Sequence, residues 1–268
     1  MSPEFGYEGV PTPRIHGESE GLVRRKPRLQ VFADLRSGES VGETGNNIVE
    51  GIKKLSEPSA TRQEVQASVH AITHELLQST YEKEGNENIL LVPVLRSGIT
   101  MWETANNFFN APETSFLTGD KEKGTNKAYI SWTKRNAIDN KKVIILDPII
   151  ATGDTLIQAY EAITSTSEQS SDITIFSCYA SPQGVEAVLT KAPQASLIVG
   201  CMAESVDADG YLIPSTNGDM GNKLFGKVIN TKDADDTSAS NEINPQMSTE
   251  ILPIPLFEAK PDLIPRAN

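Results

Sequence analysis

The chain has 268 residues, 38% of them hydrophobic, and a formal net charge of -12; this length suits one substantial core with flanking segments. The acidic balance argues against nucleic acid or an anionic membrane as the main partner, because both would be repelled at long range. The sequence lacks a run of about 18 to 20 apolar residues that could span a bilayer. It also lacks an apolar secretory signal near the start, so we expect a soluble, cytoplasmic protein.

The two ends of the chain differ in composition from its middle. Residues 1–44 are rich in Pro, Gly, Glu and Arg, and they read as an extension with one short strand at residues 29–32. Residues 229–268 are acidic and rich in Ser, Asn and Pro, which is typical of a tail. The predicted domain therefore comprises residues 45–228.

Apolar residues in this middle part alternate between helical and strand patterns. Val65, Val69, Ile72 and Leu76 recur at helical spacing and predict one buried helical face. The next predicted elements are a strand at 89–95, a helix at 99–109, strands at 115–117, 128–132 and 143–146, a helix at 155–164, a strand at 173–179, a helix at 184–190 and a strand at 197–202. Continuous apolar strands separated by helices predict an α/β fold with a parallel sheet covered on both faces.

Residues 143–156 read VIILDPIIATGDTL, so the strand ends on Asp147 and a small polar turn leads into a helix. Ligands of open parallel sheets bind outside the carboxyl ends of the strands. Gly153 permits close approach of the backbone, and several N–H groups at the helix start would suit a phosphate. Asp147 could then accept hydrogen bonds from sugar hydroxyls. An ordinary turn that caps a helix is the alternative interpretation, and neither a P-loop nor a G-x-G-x-x-G motif is present.

The segment ILDPIIATGDTL at residues 145–156 resembles the phosphoribosyl-pyrophosphate loop of type I phosphoribosyltransferases. Its Asp-Pro-x-x-Ala-Thr-Gly form resembles uracil phosphoribosyltransferases in particular. Three further segments are similar to that family and follow in its order: LVPVLRSGITM at 91–101, SPQGVEAV at 181–188 and DGYLIPSTNGDMGNKLFG at 209–226. The resemblance implies a type I phosphoribosyltransferase-like parallel sheet with helices on both faces and a small flap or hood at about residues 115–135.

The implied reaction transfers a phosphoribosyl group from 5-phosphoribosyl 1-diphosphate, the donor, to uracil or a related nitrogen heterocycle, with release of pyrophosphate. The resemblance also implies Mg²⁺ bound with the donor, and a homodimer or larger homo-oligomer. It assigns catalytic roles to Arg96, Asp147 and Asp219, with Arg96 on the pyrophosphate. The implied substrate-binding residues are Arg96, Asp147, Pro148, Ile149, Ile150, Ala151, Thr152, Gly153, Asp154 and Thr155 for the donor, and Leu212, Gly218, Asp219 and Met220 for the base.

Four segments depart from the family pattern. Asp154 replaces a glycine, residues 117–121 lack the flap arginine, the base loop at 214–219 is one residue longer, and Lys-Leu-Ser-Glu-Pro at 54–58 replaces a more basic stretch. These departures leave two alternatives open. One is a sensor that binds a nucleotide or phosphosugar, and the other is a pocket reused for different chemistry in specialised metabolism.

Two other residue pairs have structural interpretations. Cys178 and Cys201 both lie in apolar runs, which predicts buried free thiols. His70 and His74 are four residues apart on the predicted helix, but the sequence between them lacks the Glu of H-E-x-x-H. We therefore expect partly exposed helical histidines and no metal-ligating residues.

Overall fold

The computed structural model describes residues 28–81, 88–121, 128–166, 172–208, 210–216 and 218–226. The chain divides into two compact units, residues 1–227 and residues 228–268. All described residues belong to the first unit, so the predicted tail at 229–268 lies outside them.

The described residues form α-helices and β-strands in alternation along most of the chain. The strands are β1 Leu29–Asp34, β2 Glu39–Ser40, β3 Ile89–Leu95, β4 Glu113–Thr114, β5 Phe116–Lys121, β6 Ala128–Lys134, β7 Lys142–Leu146, β8 Ile149–Ile150, β9 Asp172–Ala180, β10 Ser196–Met202, β11 Ser205–Val206 and β12 Leu212–Ile213. The helices are α1 Gly42–Ser56, α2 Arg62–Thr80, α3 Gly98–Phe108, α4 Asp154–Thr164, α5 Pro182–Lys191 and α6 Met220–Phe225.

The main sheet has the strand order β2-β1-β10-β9-β7-β3-β5-β6. The strands from β1 to β5 in this order pair in parallel, whereas β2 and β6 pair antiparallel at the two edges. Strands β7 and β9 lie in the middle and are buried along all but their first residue. The predicted α/β fold with a parallel sheet is therefore confirmed.

Helices cover both faces of this sheet and form two separate cores. Alternate residues of one strand enter opposite cores: Leu91 of β3 packs with α1, α2 and α3, while Leu90 and Val92 pack with α4 and α5. This is the side-chain alternation of a strand that is buried on both sides. It explains why the strand sequences are continuously apolar.

Helix α2 begins at a capping box. Thr61 Oγ1 accepts a hydrogen bond from the N–H of Glu64 at 3.3 Å, and the Glu64 carboxylate accepts one from the N–H of Thr61 at 2.8 Å. The apolar stripe predicted from the sequence, from Val65 to Leu76, is buried in the first core. This predicted helix is confirmed and extends to Thr80.

The start of the domain differs from the prediction. Strand β1 is two residues longer than expected and pairs in parallel with β10, and helix α1 was not predicted. The predicted boundary between residues 44 and 45 falls inside α1, so residues 29–44 belong to the sheet and its covering layer. Helix α1 was missed although Ile48, Ile52 and Leu55 stand at helical spacing and are buried; its three glycines are poor helix formers.

Strands β5 and β6 form an antiparallel hairpin at one edge of the sheet, where the flap was predicted. Residues 122–127, between the two strands, lie outside the described part of the chain.

Cys178 and Cys201 are buried free thiols, which confirms the prediction made from their apolar surroundings in the sequence. Among the described helices, none has both the length and the apolar character required to cross a membrane.

Candidate active site

Two neighbouring strands bring the predicted residues to one edge of the sheet. β3 ends just before Arg96, and β7 ends just before Asp147. Because the strands pair in parallel, with Pro93 opposite Leu146, the residues after them lie side by side. Ser97 Oγ donates a hydrogen bond to Asp147 Oδ1 at 3.2 Å and joins the two strand ends.

Asp147 is a buried carboxyl group with only 7% of its surface exposed. Burial raises the pKa of Asp147 from its ordinary value of 3.8 to about 7. Hydrogen bonds from Ser97 and from the Ile149 N–H lower this pKa, while the negative charge of Asp219 raises it. Asp147 therefore changes its protonation state close to neutral pH, which is unusual for an aspartate.

This shift predicts a pH dependence of stability. The unfolded carboxyl loses its proton near pH 3.8 and the folded one near pH 7, so the folded state binds more protons between these values. The free energy of unfolding should therefore fall as the pH rises through that window. In thermal melts at increasing pH from roughly pH 4 to pH 8, we expect the stability of Asp147→Asn to increase relative to that of wild type, by on the order of a few kcal/mol over the whole range. A constant difference between the two proteins would contradict the raised pKa.

The turn at residues 151–155 leads from β8 into α4. Gly153 has a φ of +86° and precedes the helix, whose first backbone hydrogen bond runs from the Ile157 N–H to the Gly153 carbonyl at 3.0 Å. The N–H groups of the first helical turn have no acceptor within the helix, and they point out of its positive end. The turn can thus present several donors to one anion.

The carboxylate of Asp154 lies at the mouth of this turn. Asp154 is exposed, and its Oδ2 accepts a hydrogen bond from Thr152 Oγ1 at 2.9 Å. Thr152 is exposed as well. The hydroxyl of Thr152 is therefore engaged by the carboxylate of Asp154.

Three of the residues predicted to bind 5-phosphoribosyl 1-diphosphate support the turn from behind. The Pro148 carbonyl accepts hydrogen bonds from the N–H groups of Cys178 and Tyr179, and Ile149 and Ile150 form β8 alongside β9. The Ile150 side chain is buried in the second core. Pro148, Ile149 and Ile150 therefore fix the position of residues 151–155.

Arg96 and Asp219 come together across the sheet edge. Asp219 caps α6, and its Oδ1 lies 4.0 Å from Arg96 Nη2. Arg96 Nη1 donates to the Gly226 carbonyl at 3.0 Å, and Nη2 donates to Asn222 Oδ1 at 2.9 Å. The guanidinium thus lies against α6, and its side chain is 39% exposed.

The predicted base residues flank a loop that is held by its neighbours. The side chains of Leu212 and Met220 are buried in the first core, so only their backbone can face a ligand. Tyr179 Oη donates to the Pro214 carbonyl at 3.1 Å at the start of the loop. Gly218 has a φ of +106°, and its carbonyl accepts a hydrogen bond from Thr216.

A cavity of about 680 Å³ lies between α1 and the start of this loop. Its lining includes Leu35, Lys53, Lys54, Glu204 and Pro214, and none of the residues predicted to bind 5-phosphoribosyl 1-diphosphate.

Within the described ranges, no group of three or more His, Cys, Asp or Glu residues could hold a metal ion. His70 contacts Thr104 and Glu103, in keeping with the structural interpretation.

Comparison with known proteins identifies the family. The family model for uracil phosphoribosyltransferase matches residues 30–227. The chain belongs to the uracil phosphoribosyltransferase family. Membership assigns it to the phosphoribosyltransferases, and its sheet has the type I phosphoribosyltransferase fold. The match begins inside the segment predicted as an extension, in agreement with the position of β1.

Individual relatives are distant but cover most of the domain. A uracil phosphoribosyltransferase of Acinetobacter baylyi is 27% identical over 208 residues, 77% of this chain and 94% of the relative. One of Kineococcus radiotolerans is 28% identical over 199 residues, 72% of this chain and 92% of the relative. The solved structure of the AQ2163 protein from Aquifex aeolicus has a TM-score of 0.63 at 20% identity, covers 74% of this chain and 98% of its own, and supports the fold.

The departure at residues 54–58 has a visible consequence in the structure. Lys54 pairs with Glu57 at 2.8 Å and with Glu64 at 3.0 Å, so its charge stabilises the start of α2. For the departure at residues 117–121, the side chains of residues 120 and 121 lie outside the described part of the chain.

Sequence reasoning missed Asn222 and Gly226, the residues that hold Arg96. Both lie within the segment at residues 209–226 that resembles the family, but they stand 126 and 130 residues away from Arg96. The only signal was that the two motifs occur together. Asn222 has no charge or unusual spacing that would have indicated an arginine partner.

Proposed function

We propose that the protein transfers a phosphoribosyl group from 5-phosphoribosyl 1-diphosphate to uracil or a related nitrogen heterocycle, with release of pyrophosphate. The observation that carries the proposal is that the turn at 151–155, Asp147 and Arg96 share one edge of the sheet. In this proposal the turn is the site of the 5-phosphate, Asp147 that of the ribose and Arg96 that of the pyrophosphate.

Each group has a separate task in this proposal. The N–H groups at the start of α4 bind the 5-phosphate, and Asp147 accepts hydrogen bonds from the ribose hydroxyls. Arg96 stabilises the charge that develops on the departing pyrophosphate while C1 of the ribose gains oxocarbenium character. The base loop holds the acceptor nitrogen in line with C1, so most of the rate comes from positioning and electrostatics.

We propose that Mg²⁺ binds together with the donor. Magnesium sites of this kind commonly combine one or two carboxylates with substrate phosphates. Asp147 and Asp219 are the carboxylates near Arg96 at this edge, and their charges interact. The ion would neutralise charge on the pyrophosphate.

Asp154 should weaken donor binding, because its carboxylate competes with the 5-phosphate for Thr152 and repels it. We expect Asp154→Asn to bind ribose 5-phosphate roughly tenfold more tightly, since about 1.4 kcal/mol of repulsion is removed. Loss of the acidic residue from the first turn of α4 should cost about 0.3 to 1 kcal/mol of stability. Calorimetry and thermal melts measure both effects, and an unchanged affinity would place the carboxylate away from the bound phosphate.

The experiment that tests the proposal follows pyrophosphate release. The full-length protein is incubated with Mg²⁺, the donor and a panel of bases that includes uracil. Release that requires uracil supports uracil as the acceptor, and release with another base alone redirects the proposal to that base. Donor binding in calorimetry without turnover would favour the sensor alternative, and no binding would favour a reused pocket.

We further propose that the chain assembles as a homodimer or larger homo-oligomer, as the family resemblance implies. Sedimentation equilibrium of the full-length protein checks this proposal. A mass of 29.1 kDa at all concentrations would contradict it.

A further inference from the structure

Helix α6 determines where the charge of Arg96 lies. The guanidinium donates to the Asn222 side chain in α6 at 2.9 Å and to the carbonyl of Gly226, the residue after the helix, at 3.0 Å. A guanidinium carries more N–H donors than these contacts use. Because Arg96 is 39% exposed, its remaining donors can bind an anion while α6 holds the plane of the group.

The contact with α6 is close along one side of the guanidinium. A Cβ atom at Gly221 would lie 3.3 Å from Arg96 Nη2, so the group packs against the backbone of the first helical turn. Asn222 is itself held there, because its N–H donates to Asp219 Oδ1 at 2.7 Å. The backbone of Asn222 is therefore fixed by the cap of α6.

The rest of α6 is anchored without Arg96. Leu224 is buried in the first core, and Lys223 Nζ donates to the Leu55 carbonyl at the end of α1 at 2.9 Å. The helix would therefore keep its place if the contact between Asn222 and Arg96 were removed. This separates a role in positioning Arg96 from a role in holding α6.

We propose that Asn222 is a positioning residue, which aligns the Arg96 guanidinium with the pyrophosphate of the donor. This inference rests on the proposed function. Helix α6 directly follows the base loop, so the Asn222 contact also joins the loop to the group that binds the leaving pyrophosphate. An arginine that has lost this contact can adopt many rotamers, and ordering it would then weaken donor binding.

Two ligands separate this role from a purely structural one. Ribose 5-phosphate carries the phosphate and the ribose but lacks the pyrophosphate, so its affinity reports on the turn at 151–155 alone. We expect Asn222→Ala to bind 5-phosphoribosyl 1-diphosphate about five- to tenfold more weakly than wild type, and ribose 5-phosphate with less than about twofold change. Titration calorimetry in the presence of Mg²⁺ measures both affinities.

Two further variants serve as controls. Asn222→Asp keeps an acceptor oxygen for Arg96 but adds a negative charge, so we expect it to bind the donor about two- to fivefold more tightly than Asn222→Ala and more weakly than wild type. Lys223→Met removes the hydrogen bond from α6 to α1 without touching Arg96, and it should affect both ligands equally. Thermal melts of all variants verify that the domain is folded.

The outcomes distinguish the two proposals. If wild type binds neither ligand, the proposed function fails and the role of Asn222 fails with it. If wild type prefers the donor and Asn222→Ala keeps that preference, only the role of Asn222 is overturned. Equal losses for both ligands in Asn222→Ala and Lys223→Met would mean that the contact only stabilises α6, which also overturns it.

Discussion

Replacing Arg96 with alanine should lower the affinity for 5-phosphoribosyl 1-diphosphate by about ten- to a hundredfold. A charge-assisted hydrogen bond contributes about 1.5 to 3 kcal/mol, and Arg96 is the arginine that the fold places beside Asp147 and α6. Calorimetry with the donor measures the loss. Arg96→Lys should bind the donor with intermediate affinity, because an ammonium keeps the charge but lacks the planar fork.

The matched control is Arg36→Ala. Arg36 follows β1 on the same sheet, and its side chain is 38% exposed, against 39% for Arg96. It pairs with Asp34 at 2.6 Å, far along the strand order from β7, so its removal should leave donor affinity unchanged. An Arg96→Ala protein that binds the donor like wild type would remove this arginine from the proposed site.

Gly153→Ala should both destabilise the domain and abolish the proposed anion site at the turn. Gly153 has a φ of +86°, and an added Cβ would lie 2.8 Å from the Gly184 carbonyl. The left-handed backbone costs about 1 to 2 kcal/mol for alanine, and crowding adds about 1 to 3 kcal/mol. We expect the melting temperature to fall by roughly 5 to 15 °C and the binding of ribose 5-phosphate to be lost.

Two glycine variants separate these causes. Gly210 has a φ of +82° with nothing within 4 Å of an added Cβ, so Gly210→Ala tests the backbone term alone. At Gly184 the Cβ would lie 2.4 Å from the Ala151 carbonyl, so Gly184→Ala crowds the same turn from the α5 side. Gly210→Ala should retain ribose 5-phosphate binding and Gly184→Ala should lose it. If all three glycine variants bound ribose 5-phosphate with the same affinity, the turn at 151–155 would not be the site of the phosphate.

The predictions from sequence succeeded where the pattern is local and strong. The apolar runs of β7 and β9 and the helical stripe from Val65 to Leu76 each carry their own signal in consecutive residues. Helix α1 also has buried apolar residues at helical spacing, Ile48, Ile52 and Leu55, but its three glycines lower its helix propensity. It forms because α2 and the sheet cover those positions, and that contribution cannot be read within fifteen residues.

The candidate site shows the same division. The turn at 151–155 and Asp147 were predicted from one continuous segment, because a strand, an acid, a small turn and a helix start follow each other directly. The raised pKa of Asp147 was not predicted, since it depends on how deeply the end of β7 is buried. The orientation of Asp154 was left open by the sequence, and the hydroxyl of Thr152 determines it in the folded protein.

The sequence by itself determined the α/β class, the family and the segments of the candidate site, because these depend on side-chain periodicity and on motifs of neighbouring residues. Only the tertiary structure decided that β1 and α1 belong to the domain and that Arg96 lies against Asn222 and Gly226. The physical reason is distance along the chain. A hydrogen bond between residues 126 positions apart forms only after the sheet has brought their elements together, and neither partner shows it in its local sequence.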